Sequence, residues 1–234
     1  MVHHSMSNFR TGGDVILAST RARTLLWLTL FAISMAYIEA ALVVHLRSLY
    51  YSNAPQSIFP LQLLSHRDLA IELGREAMTI IMILCVALLA AKTFAHRFAA
   101  FVYIFGLWDL GYYLWLKVFI DWPQSWTEWD VLFLIPWPWL GPWLAPVAIA
   151  LLFCLWGGYV LVTTSKLFFT RRWVSLFLLG AVLGFFAFLA PTMPLLPGGE
   201  EAFRGYQPTS FPWPLFVIGF MLMVVSLVGA LHQK

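Results

Sequence analysis

Charged residues are scarce in this chain of 234 residues, since Asp, Glu, Lys and Arg together make up only 11% of it. No segment is both long and polar enough to fold as a separate soluble domain, which excludes a large catalytic module outside the membrane. The basic residues are scattered among short connections and form no patch. The net charge of +3 therefore does not indicate nucleic-acid binding.

Several chemical signatures are missing as well. The two cysteines, Cys85 and Cys154, lie in apolar stretches, so we expect packing residues and no disulfide or cysteine metal site. The chain has no Gly-x-Ser-x-Gly motif, phosphate-binding loop or dinucleotide fingerprint, which disfavours ATP-driven or NAD-linked chemistry by this chain alone. The Glu-x-x-His and His-x-x-x-His spacings of di-iron bundles and zinc proteases are absent too.

Apolar residues are abundant instead, at 61% of the chain, with 17% aromatic. Six apolar stretches reach the length that spans a bilayer, and in lipid each must be a helix because an open strand leaves backbone groups unpaired. We therefore predict one all-α membrane domain, a six-helix bundle. The first apolar run continues to Leu46, so we expect it to be retained and not cleaved as a signal peptide. The predicted spans are residues 25–46, 69–91, 98–120, 143–164, 173–190 and 213–231.

The charge pattern predicts an orientation. Cytoplasmic connections carry an excess of Lys and Arg, and nine of the fourteen basic residues fall at one end of the spans. We expect both termini in the cytoplasm and the protein in the plasma (inner) membrane. All acidic residues except Asp14 then map to the outer end or the outer half of the spans. The nine basic residues are Arg10, Arg21, Arg23, Lys92, Arg97, Lys166, Arg171, Arg172 and Lys234.

The connection over residues 121–142 is rich in Trp and Pro, which is typical of the membrane interface. Its apolar core, residues 131–135, is too short to cross the bilayer. With Asp130 as a candidate N-cap and Pro136 and Pro138 as helix breakers, we predict an interfacial or re-entrant turn. The turn is either an aromatic anchor or a lid over a substrate.

Three predicted spans each carry a carboxylate in the outer half of the membrane. From the helical rise of about 1.5 Å per residue, Glu39 lies roughly 11 Å, Glu76 roughly 10 Å and Asp109 roughly 16 Å from the outer ends. Ionisable residues at such depths usually face a bundle interior or a water-filled cavity. We predict that the three meet in one pocket.

Neighbouring residues extend this polar cluster. Glu72, Arg75 and Glu76 share one face of span 2, and Arg75 is the expected partner of Glu39.

On span 3, Tyr112 and Tyr113 share a face with Asp109, and if the cluster is purely structural, one of their hydroxyls bonds to Asp109. The cluster could simply lock three helices together. However, the acids outnumber the nearby arginine, so either one carboxyl is protonated or a cation completes the site.

A divalent metal ion is one such cation. Carboxylate oxygens favour Mg²⁺, Mn²⁺ or iron over zinc, although no recognised metal motif is present. The candidate ligands are Glu39, Glu72, Glu76 and Asp109, with His45 or His66 as further donors.

Three functions stay open at this point. The first is a small intramembrane enzyme acting on a lipid, isoprenoid or other apolar substrate from the outer leaflet, with carboxylates as acid and base. The second is a noncatalytic subunit of a larger redox or energy-converting membrane complex that binds quinone, pigment or partner helices. The third is a proton- or cation-coupled transporter, which the lack of inverted repeats disfavours. The candidate catalytic residues are Glu76 and Asp109 as the acid/base pair, Glu39 as a third carboxylate, Arg75 as an anion clamp, and Tyr112 or Tyr113 as a donor.

Overall fold

The computed structural model describes residues 3–52, 56–163 and 167–231, with side chains from Ser19 onward. Thr164, Lys166 and Lys234, used in the topology prediction, lie outside the described residues. Two 3₁₀ helices, Met193–Gly198 and Glu200–Phe203, precede the last helix. The helices and strands are α1 His3–Tyr50, α2 His66–Ala90, α3 Phe94–Ile120, β1 Trp129–Phe133, β2 Trp139–Pro142, α4 Leu144–Val162, α5 Arg171–Leu189 and α6 Trp213–Gly229.

Five of these helices are long and apolar enough to cross a membrane, namely the Ser19–Tyr50 part of α1 and all of α2 to α5. The last helix, α6, is apolar but has 17 residues. Large apolar side chains point away from the bundle, among them Trp27 at 63% and Leu89 at 88% exposure. Surfaces of this kind belong in lipid, so this is a multi-pass membrane protein.

Polar capping residues fix several helix ends. Ser65 caps α2, because its Oγ accepts a hydrogen bond from the Asp68 amide at 3.1 Å. Thr93 caps α3 in the same way, accepting from the His96 amide, so this helix begins four residues before the predicted span. Helix α1 also continues beyond its predicted span, to Tyr50. Hydropathy marks where a helix leaves the apolar layer, whereas capping decides where it ends.

The helices approach most closely at glycines. A Cβ atom placed on Gly106 of α3 would lie 2.4 Å from the Ala150 carbonyl oxygen of α4. One placed on Gly180 of α5 would lie 2.6 Å from the Gly219 carbonyl oxygen of α6. Helix α6 also lies against Gly184, since a Cβ on Gly219 would come within 2.9 Å of the Gly184 amide nitrogen, and small residues four apart commonly allow such close packing.

The largest buried core lies among α1, α3 and α4, toward the end of the bundle opposite the two strands. Its small residues, such as Ala32 and Ala99, are fully buried, and larger ones such as Trp156 fill the space between them. The Trp156 indole donates to the Leu227 carbonyl at 2.8 Å, which links α4 to α6. The other end, where α1 ends and α2 begins, is less completely filled and is called the hairpin end below.

An antiparallel β-hairpin of β1 and β2 occupies the hairpin end, where the sequence predicted an interfacial or re-entrant turn. The prediction of Asp130 as a helix N-cap is wrong, because this residue lies within β1 opposite Gly141 and is 1% exposed. Pairing between the strands satisfies backbone groups that a lone extended segment would leave unpaired in an apolar setting. The two cysteines are free, and Cys85 is exposed on the outside of the bundle and not packed as expected.

Candidate functional site

A cavity of approximately 640 Å³ opens at the hairpin end, and residues of all six helices and of the hairpin line it. A volume of this size is typical of small-molecule sites. Apart from His45 and His66, which do not line it, the candidate residues from the sequence all lie at this one cavity. They are Glu39, Glu72, Arg75, Glu76, Asp109, Tyr112 and Tyr113.

The three intramembrane carboxylates lie at one common depth. Glu39 lies 11 residues before the end of α1, Glu76 lies 10 residues after the start of α2, and Asp109 lies 11 residues before the end of α3. At the helical rise, each is about 15–17 Å from the hairpin end of its helix. The predicted spans placed Asp109 deeper than the other two carboxylates. Span 1 was predicted to end before the real end of α1, and span 2 was predicted to begin after the real start of α2.

Arg75 joins α1 to α2, and its predicted pairing with Glu39 is confirmed. Its Nη1 donates to Glu39 Oε1. The same guanidinium binds Glu72 through two parallel hydrogen bonds, from Nε to Oε2 at 2.9 Å and from Nη2 to Oε1 at 2.5 Å. Such fork-to-carboxylate contacts hold a guanidinium in a fixed plane. Arg75 thus forms ion pairs with two carboxylates, those of Glu39 and Glu72.

Glu76 holds the hairpin. Both of its carboxylate oxygens accept from the Leu134 backbone amide, at 3.0 and 2.9 Å, and the residue is 4% exposed. Leu134 directly follows β1, so this contact fixes the end of that strand against α2. The carboxylate that the sequence paired with Asp109 as an acid/base couple therefore has a structural partner.

A second buried cluster, which the sequence did not predict, anchors the base of the hairpin. Asp130 accepts from Arg47 Nη2 at 3.1 Å, from the Tyr113 hydroxyl at 3.2 Å and from the Val131 amide at 3.0 Å. The Arg47 guanidinium also lies 4.4 Å from the centre of the Trp122 ring. Arg47 lies in the last turn of α1, beyond the predicted end of span 1, and is 4% exposed.

Two sequence signals could have indicated this cluster. Asp130 is an acid flanked by tryptophan and aliphatic residues, and Arg47 lies next to a run of apolar residues. Burial raises the pKa of the Asp130 carboxyl above its ordinary value, while Arg47 and Tyr113 act to lower it. Because burial dominates, the ion pair fixes the position of the hairpin more than it adds net stability.

Asp109 is the candidate residue without a partner. No hydrogen bond or ion pair joins its carboxylate to another described residue. The prediction that a neighbouring tyrosine bonds to it is wrong, because Tyr113 donates to Asp130 and the Tyr112 hydroxyl also acts on Asp130. The charged groups that influence Asp109 are Asp130 and Glu39, both acidic. An acid in this position is available to a ligand or a proton.

The predicted metal ligands are not assembled into a metal-binding group. Within the described ranges, no three His, Cys, Asp or Glu residues are arranged to hold a metal ion. The Glu39 and Glu76 carboxylates face Arg75 and the hairpin backbone instead. His45 contacts the carbonyl of its own helix one turn earlier, and His66 is exposed, 3.8 Å from Glu200.

Comparison of the chain with protein-family models, curated proteins and solved structures found no match. The function is therefore inferred from the cavity alone. Its chemistry consists of a half-buried carboxyl on Asp109, a fixed set of ion pairs around it, and a lining that is mostly apolar. Such an arrangement can bind an apolar molecule and exchange a proton with it.

Proposed function

We propose that this protein is a small intramembrane enzyme that acts on a lipid, isoprenoid or other apolar substrate, with Asp109 as its acid/base group. The observation that supports this proposal is the unpartnered Asp109 carboxylate on a largely apolar cavity of approximately 640 Å³. A purely structural carboxylate at this depth would be expected to have a partner, because burying an unpaired charge is costly.

Each neighbouring residue has a distinct part in this proposal. Glu39, held by Arg75, lines the same cavity as Asp109 and adds to its negative charge. Arg75 positions Glu39, and Glu76 positions the hairpin that covers the cavity. Tyr112, which lines the cavity beside Asp130, supplies a hydroxyl to the substrate. The sequence predicted Glu76 and Asp109 as an acid/base pair, whereas the present proposal has Asp109 as the principal acid/base group.

The proposal includes a placement in the membrane. The protein forms one domain of six spans in the plasma (inner) membrane, with both termini in the cytoplasm and the hairpin end at the outer leaflet. Helix α6, at about 26 Å for its 17 residues, is slightly shorter than the apolar layer of about 30 Å. It packs along α5, which supports a sixth crossing. The base of the hairpin, beside Arg47 and Trp122, then lies near the outer headgroups, as tryptophan prefers, and its far end reaches inward to Glu76.

The test is conversion of lipid by the purified protein. The full chain is reconstituted into vesicles made from total lipid of its native membrane, and products are followed over time by mass spectrometry. We expect time-dependent loss of one lipid class. Asp109→Asn should slow the loss by about 100-fold or more, because removing a general acid or base costs roughly 10²–10⁴ in rate. Asp121→Asn, which changes an exposed acid paired with Lys117, serves as the matched control.

Different outcomes favour the other functions. If no lipid changes and the protein purifies with stoichiometric partner chains that Asp109→Asn displaces, the protein is a subunit of a larger complex. A proton- or cation-coupled transporter is the second candidate, because acids outnumber arginines around the cavity. In that case the wild-type protein would move protons into sealed vesicles, and Asp109→Asn would abolish the movement without any lipid being converted.

A further inference from the structure

The cavity has two chemically different parts. Asp109 and Arg47 lie at the polar part, between α1, α2 and α3. The other part reaches α4, α5 and α6, where Phe153, Phe185 and Met223 line it. A ligand that fits both parts has a polar head and an apolar chain. The space is suited to one chain, since pockets of this volume hold molecules of ordinary small-ligand size.

The charge of the polar part selects the charge of the head. Among the described residues, six carboxylates line the cavity against two arginines, an excess of four negative charges when all are ionised. A phosphate or carboxylate head would add to this excess, whereas a cationic head would reduce it. The six acids are Glu39, Glu72, Glu76, Asp109, Asp130 and Glu200, and the two arginines are Arg47 and Arg75.

Two buried N–H donors without an acceptor in the described part of the chain indicate a second feature of the ligand's polar head. Arg47 Nη1 and Trp108 Nε1 have no hydrogen-bond acceptor among the described residues, and these side chains are only 4% and 5% exposed. Both residues line the cavity. A buried donor left unpaired is unfavourable, so an acceptor on the ligand would stabilise the complex. Because extra negative charge is disfavoured here, the acceptor is an uncharged oxygen.

We propose that the cavity binds a single-chain amphiphile whose head combines a protonated amine with a neighbouring hydroxyl or carbonyl oxygen. The amine meets the Asp109 carboxylate, the oxygen accepts from the neighbouring Trp108 indole, and the chain lies along α4, α5 and α6. This inference rests on the cavity of the proposed function and names its substrate class. Long-chain amino alcohols are the simplest molecules with this chemistry.

Equilibrium binding to the purified full chain in phosphatidylcholine nanodiscs tests the proposal. The probes are sphingosine, an alkylamine, a fatty alcohol and a fatty acid, all of equal chain length. We expect the amine-bearing probes to bind about tenfold or more tightly than the alcohol, and the fatty acid to bind most weakly. Asp109→Asn should remove the preference for amines. Asp109→Glu, which keeps the charge, and Asp121→Asn, which changes an exposed acid, should retain it.

Trp108→Phe tests the second contact separately, because it removes the unpaired donor and keeps an aromatic ring. It should weaken binding of sphingosine and leave binding of the alkylamine unchanged, since only sphingosine carries the oxygens. Tightest binding of the fatty acid, or an amine preference that survives Asp109→Asn in a protein of unchanged circular dichroism, would overturn the proposal.

The two proposals can fail independently. If sphingosine binds as expected but no lipid class is ever converted, the enzyme proposal fails and the ligand class stands. If the protein converts a lipid without a basic head and does not discriminate among the four probes, the ligand class is wrong and the enzyme proposal stands.

Discussion

Breaking the buried ion pair between Arg47 and Asp130 should destabilise the protein strongly, whereas removing both charges should not. Asp130→Asn keeps an oxygen that can accept from Tyr113 and Val131, so its effect isolates the lost charge. Arg47 would then be a cation at 4% exposure with no counterion among its present hydrogen-bond partners. Removing one partner of such a pair typically costs about 3–5 kcal/mol.

Arg47→Met should cost a similar amount by leaving the Asp130 carboxylate unpaired. The double variant should be more stable than either single one and lie within about 1–2 kcal/mol of the wild-type protein, because buried pairs often contribute little net stability. Methionine also keeps an apolar stem against Trp122. The expected coupling between the two sites is thus several kcal/mol, well above that of distant residues.

The assay is reversible unfolding in mixed micelles, with a denaturing detergent titrated in and tryptophan fluorescence and circular dichroism followed together. Asp121→Asn is the control, since Asp121 pairs with Lys117 at the exposed end of α3 and asparagine tolerates its left-handed backbone conformation. It should change stability little. If Asp130→Asn is no less stable than this control, or if the two single effects simply add, the pair does not anchor the hairpin.

Two further predictions concern packing and the hairpin. Gly106→Ala should destabilise the contact between α3 and α4 by about 1–3 kcal/mol in the same titration, because the added methyl group would overlap Ala150. In the control Gly74→Ala, the added Cβ atom would meet no atom within 4 Å, so the change should be neutral or slightly stabilising. Equal effects of the two substitutions on stability would contradict the packing between α3 and α4. Glu76→Ala should raise hydrogen–deuterium exchange at the Leu134 amide while Glu76→Gln largely preserves its protection, and unchanged exchange in Glu76→Ala would show that Glu76 does not hold the hairpin.

The helices and the polar faces of α2 and α3 could be predicted from the sequence because they depend on local periodicity. Hydropathy identified each apolar helix, and helical spacing placed Glu72, Arg75 and Glu76 on one face. The pairing of Arg75 with Glu39 could be predicted as well, because an unpaired acid at that depth needs a cation and few are available.

The hairpin and its anchors could not be predicted in this way, because they depend on contacts between distant parts of the chain. Residues 131–135 give the same apolar pattern whether they form a strand or part of a helix, and only pairing with β2 decides. Arg47 and Asp130 are 83 residues apart, so neither indicates the other in the sequence. The tyrosines near Asp109 were assigned to the wrong carboxylate because Asp130 was interpreted as a helix N-cap.

The central claim is that the cavity holds an apolar chain, and filling the cavity tests it most directly. Gly184 lines the cavity, and a Cβ atom there would meet nothing within 4 Å, so Gly184→Leu can be accommodated and should fold normally. The measurement is quantitative mass spectrometry of the lipid that co-purifies with the wild-type and variant proteins. The account predicts an amphiphile near one per chain in the wild-type protein and a strong loss in Gly184→Leu with unchanged stability. Equal amounts in both proteins, or none in the wild-type protein, would contradict it.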